Sequence, residues 1–163
     1  MLAATYTDIV EDGTLGQANW QEGSGTGAPI DGVLCLPNEN YHIHSLVSIY
    51  RNGTRLALPA SIGLKGCAYE LHTHDATGVV HVETDVKKTF TMGQFFSVWG
   101  QPLGISNVAG LKEGAHFYLI ENETVTPYTG NPADIQFTPR REIAIVVGTP
   151  PAALVKHRWP NNL

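Results

Sequence analysis

The chain has 163 residues, with 42% hydrophobic and only 15% charged side chains. It is long enough for one domain with a real core and too apolar for disorder. Ten basic and fifteen acidic side chains give a net charge of -5, and no basic run is present. This composition argues against a nucleic-acid partner. No apolar run approaches the ~18 residues of a membrane helix.

The N-terminus, MLAATYTDIVEDG, lacks the charged and apolar regions of a signal peptide. Either the protein is cytosolic, or the chain is a mature or truncated form of an extracytoplasmic protein with a starting Met added. The cysteines favour the second reading, with the signal segment absent from this sequence. Residues 1–34 are polar and glycine-rich and are expected to form an extended arm, with one strand near Tyr6 to Val10 and Trp20 packing the arm onto the body. Residues 35–149 form the single globular domain, and 150–163 a C-terminal extension.

Tyr41 to Tyr50 is rich in β-branched and aromatic residues and predicts a strand. Arg51-Asn52-Gly53-Thr54 is a hairpin turn signal, because Asn-Gly supplies positive φ. Leu56 to Pro59 is the expected return. A second hairpin is expected from Ala68 to His74, a turn at Asp75 to Gly78, and Val79 to Thr84. Met92, Phe95, Phe96 and Trp99 fall at i, i+3, i+4 and i+7, one apolar helical stripe. Thr91 and Gln94 form a capping box before it, and Gly100 and Pro102 stop it. His116 to Glu121, Thr124 to Tyr128 and Glu142 to Val147 complete the strands.

This order predicts an α+β fold. A mixed β-sheet of two hairpins, one helix and further strands forms a β-grasp-like arrangement. The alternative is a small β-barrel or cupin-like roll, although the histidine spacing departs from the usual cupin motif.

Five of the seven histidines lie between residues 42 and 81: His42 and His44, His72 and His74, and His81. Residues i and i+2 of a strand point to one face, so each H-x-H pair presents two rings together. Rings on paired strands can converge on a metal at roughly 2.0–2.1 Å per nitrogen. His81 shares its face with Glu83, a candidate general base or hydrogen-bond acceptor behind a ligating imidazole. Asp75 reads either as an Asx turn with Thr77 or Gly78 or as an acceptor that fixes an imidazole tautomer. Glu70 is a weaker candidate of the same kind, and Tyr41 and Tyr69 flank the histidine pairs. His116 is expected to be structural and His157 solvent-exposed.

Only Cys35 and Cys67 are present. A disulfide between them would tie together the entries of the two ligand strands, as an oxidising compartment permits. Free thiols and thiolate ligation are the other readings.

The expected cofactor is one transition-metal ion, with copper favoured over zinc or iron on all-nitrogen ligands outside the cytosol. Three functions compete. The first is a mononuclear copper redox enzyme whose open position takes dioxygen, peroxide or a small-molecule substrate. The second is a metal carrier without turnover, and the third a structural domain tied by a histidine cluster. No G-x-S-x-G, phosphate loop or H-E-x-x-H motif competes with these.

The segments YHIHSLVSIYRNG, CAYELHTHDATGVVHVE and FTMGQFFSVWGQPL together resemble a family of uncharacterised prokaryotic domains, often secreted or membrane-anchored. The resemblance runs from about Cys35 to Gly148. It implies placement outside the cytoplasm, and it names no activity.

Overall fold

The computed structural model describes residues 9–10, 14–23, 25–35 and 39–163. Its strands are β1 (Ile9–Val10), β2 (Tyr41–Arg51), β3 (Thr54–Leu56), β4 (Leu71–His72), β5 (Val79–Thr84), β6 (Leu103–Gly104), β7 (Asn107–Val108), β8 (Ala115–Glu121), β9 (Thr124–Tyr128), β10 (Glu142–Val147) and β11 (Leu154–Val155). One α-helix, α1 (Met92–Trp99), follows β5, and a 3-10 turn spans Pro132–Asp134.

The main sheet runs β4-β5-β2-β10-β8-β9, with β3 paired to the distal half of β2. β10 lies parallel to β2, whereas the other pairings are antiparallel. A hairpin-like pair, a helix, two antiparallel strands and a last strand inserted parallel to the first make the β-grasp order. The sheet is open, so the barrel alternative does not hold.

Local chemistry accounts for these elements. Asn52 and Gly53 take φ of 48° and 88°, the two positive values a tight hairpin turn requires between β2 and β3. The Thr91 hydroxyl accepts from the Gln94 N–H, the Gln94 side chain accepts from the Thr91 N–H, and Gly100 closes α1 in the left-handed region. The stripe Met92, Phe95, Phe96 and Trp99 is buried against Val47, Ile49, Val80, Val82, Ile143 and Ile145.

The opposite face carries a smaller cluster of Tyr50, Tyr118, Ile120, Ala144 and Val146 under Leu154 of the tail. By the alternation of β2, His42 and His44 share this second face with Tyr50. His42 and His44 therefore sit on the sheet face away from the helix.

Described segments near the two ends of the chain meet. β1 pairs in parallel with β11, a contact between distant segments that local sequence pattern does not announce. The part of the expected N-terminal strand before Ile9 lies outside the described residues. Trp20 packs edge-on against Trp99 at 5.2 Å, and its indole N–H donates to the Ala109 carbonyl.

Cys35 and Cys67 form a disulfide with Cα atoms 5.9 Å apart, closing a separation of 32 residues. Of the three readings of the cysteines, the crosslink is the one that holds. It fastens the end of the arm to the chain entering β4, where Cys35 and Tyr69 form a bridge. Reduction is expected to cost about 3–4 kcal/mol by the loop-closure relation. Urea unfolding with and without reductant measures this, and an unchanged midpoint would contradict it.

Candidate metal centre

Pairing register brings the histidines into one row. In the β2–β5 ladder His44 faces His81 and His42 faces Glu83, and in the β4–β5 ladder His72 faces His81. A slip of one residue would turn every one of these side chains to the other face. That register is held by the apolar positions between them, since Ile43 faces Val82 and Val82 faces Leu71.

His74 lies just past the end of β4 and not within it, which departs from the expected strand. It still joins the cluster, with its ring centroid 4.8 Å from that of His72 and 4.4 Å from that of His81. The following turn explains the difference. Asp75 Oδ1 accepts from both the backbone N–H and the hydroxyl of Thr77, an Asx turn that ends the strand early. The Asp75 carboxylate is used in that turn.

His72 is only 1% exposed, and its Nδ1 lies 2.7 Å from the Tyr69 carbonyl oxygen. A carbonyl only accepts, so Nδ1 carries the proton and donates. Nε2 is then left with a bare lone pair. That Nε2 is buried, has no hydrogen-bond partner, and lies 3.4 Å from Glu83 Oε1. The same carboxylate oxygen is 3.1 Å from His42 Nε2 and 3.7 Å from His81 Nδ1. His81 Nδ1 in turn lies 3.0 Å from His44 Nε2.

Two donors at 2.0–2.1 Å from one ion lie about 2.9 Å apart at a right angle and about 3.4 Å apart at the tetrahedral angle. The separations of 3.0, 3.1 and 3.4 Å fall in that window. Three groups of donors meet the proximity a metal needs, with atoms within 4.8 Å of one another. They are His72, His74, His81 and Glu83; His42, His44 and His81; and Glu39, His42 and Glu83. Histidine and glutamate groups able to hold a metal ion are thus present.

The electrostatics favour neutral rings. Burial pushes the His44 imidazole down to about 4, and repulsion from His42 adds to this. Burial likewise pushes His81 down to about 3, with His44 as the next cause. His72 is also lowered, chiefly by burial. A neutral imidazole is the form that ligates metal.

The sequence pointed to the five histidines and Glu83 but passed over Glu39. Its position three residues before His42, at the entry of β2, was the available signal. Glu70 belongs elsewhere: its buried carboxylate accepts from the Leu34 N–H, the Thr84 hydroxyl and the Lys88 ammonium. The Tyr69 hydroxyl donates to the Ala28 carbonyl and accepts from the Gly27 N–H, which anchors the arm. His116 is part-buried in β8, apart from the cluster.

His157 corrects the expectation of an exposed tail residue. It is 7% exposed, packs edge-on against Trp159, and its backbone N–H donates to the buried Glu142 carboxylate. The tail folds back over the part of the second sheet face that carries Tyr50, Tyr118 and Val146.

No protein-family description, curated protein or solved structure matches the chain.

Proposed function

We propose that this chain is an extracytoplasmic protein that binds a transition-metal ion on its histidine face, with copper favoured over zinc or iron. The observation that carries the reading is His72 Nε2, a lone pair fixed by the Tyr69 carbonyl, buried, without a hydrogen-bond partner, and 3.4 Å from the Glu83 carboxylate among the other donors. A hydrogen-bonded polar cluster leaves no such atom, because an unpaired buried acceptor costs roughly 1–3 kcal/mol. Ligation by metal removes that cost.

The donor set supports the choice of ion. Both cysteines are in the disulfide, so the donors are imidazole nitrogen and carboxylate oxygen. Such sites bind divalent ions in the order that peaks at copper(II). The disulfide and the family resemblance both favour placement outside the cytoplasm. No helix among the described residues is long and apolar enough to cross a membrane.

The function we favour is that of a copper redox enzyme. His42 and His74 are exposed while His44, His72 and His81 are buried, so the cluster is open to solvent on one side. An exchangeable ligand such as dioxygen or peroxide needs that access.

Copper(II) titration of metal-free, untagged protein tests the reading. Saturable uptake is expected that displaces zinc and is reduced in His72→Ala. Absence of uptake of copper, zinc and iron would sink it. Bound copper that consumes neither dioxygen nor peroxide in the presence of a reductant would leave a carrier.

A further inference from the structure

We propose that the histidine face holds two divalent transition-metal ions side by side, with the Glu83 carboxylate bridging them. This rests on the metal-binding reading above and goes beyond its single ion.

The donors outnumber what one ion takes. His72, His74, His81 and Glu83 complete a four-coordinate shell by themselves. His42, His44 and Glu39 are then left over, and His42 belongs to both of the remaining donor groups. A surplus of this kind is costly to bury for one ion, since His44 is itself only 6% exposed.

The sheet separates the two sets. β5 lies between β4 and β2. His72 on β4, with His74 just beyond it, flanks β5 from one side, and His42 and His44 on β2 flank it from the other. The residues that the first group shares with the other two are His81 and Glu83, and both stand on β5. A strand whose side chains serve both neighbours is where bridging ligands belong.

The distances agree. Glu83 Oε1 lies 3.4 Å from His72 Nε2 on one side and 3.1 Å from His42 Nε2 on the other. The His81 ring lies between those of His44 and His74, with centroids at 4.5 and 4.4 Å, and turns Nδ1 toward His44. Two-metal centres hold their ions about 3.5–4 Å apart. Adjacent strands are about 4.8 Å apart, so ions on either side of the β5 side chains come within about 1 Å of that spacing before any side-chain adjustment.

Native mass spectrometry and EPR of copper(II)-loaded protein decide the matter. Saturation at about two equivalents is expected, with the EPR-visible copper well below the total because paired spins couple. His74→Ala, at an exposed position, is expected to retain about one equivalent with full EPR intensity. Glu83→Gln, checked for folding by circular dichroism, is expected to restore EPR intensity by removing the bridge. Saturation of the wild type at about one equivalent, with EPR accounting for all the copper, would overturn the two-ion proposal and leave metal binding intact. No uptake at all would overturn both.

Discussion

His81→Gln is expected to weaken copper(II) binding by more than about a hundredfold, against roughly tenfold for His42→Gln at the rim. His81 occupies the middle of the cross-strand row His72–His81–His44. Its ring touches every other histidine of the cluster, with centroids 4.4 to 5.9 Å away. Removing it takes a ligand and also the group that spaces the others. His42 is part-exposed at the start of β2, where water can replace it. Competition against a chromophoric chelator gives both affinities. Equal affinities for wild type and His81→Gln would place the metal elsewhere.

The metal-free protein is expected to lose stability steeply below about pH 6.5. His44 and His81 have folded values near 4 and 3, below their unfolded values near 6.5. Between those limits the unfolded chain binds more protons, so stability falls as pH falls. The contribution is complete above the unfolded value and is lost progressively until the folded values are reached. The pair together accounts for something on the order of 5 kcal/mol, a large part of an ordinary domain's 5–15 kcal/mol. Urea unfolding with a chelator present, at steps between about pH 7.5 and pH 4, measures the slope. A flat profile would contradict the assignment, and His44→Gln is expected to flatten it in part. Bound metal competes with the same protons, so the loaded protein is expected to hold its stability further into acid and then lose ion and fold together.

Much of this architecture follows from local chemistry. The capped helix, the Asn-Gly turn and the histidine pairs are set by residues within a few positions of each other. What stayed hidden depends on long-range pairing. The central place of Glu83 requires the β2–β5 register, which no single segment specifies. The burial of His157 requires the tail to return to Glu142, and the β1–β11 pair joins opposite ends of the chain. H-x-H reads His74 into a strand, but the Asx turn of Asp75 and Thr77 competes with the ladder and wins. Glu39 does not stand out in the sequence, because a carboxylate before a strand is ordinary until its neighbours are known.

The outer strands of the sheet bear on how the protein avoids its own copies. β4 is two residues long, β3 is three, and β9 carries Pro127 within its five residues. The arm also covers β3, where Gly16 exchanges hydrogen bonds with Arg55 and Ala57. Bare edges of an open sheet template edge-to-edge polymerisation, and short strands, proline and covering segments are the usual defences. With metal bound on the half-open sheet face as proposed, the chain would therefore not offer that sheet to its neighbours as a seed for aggregation.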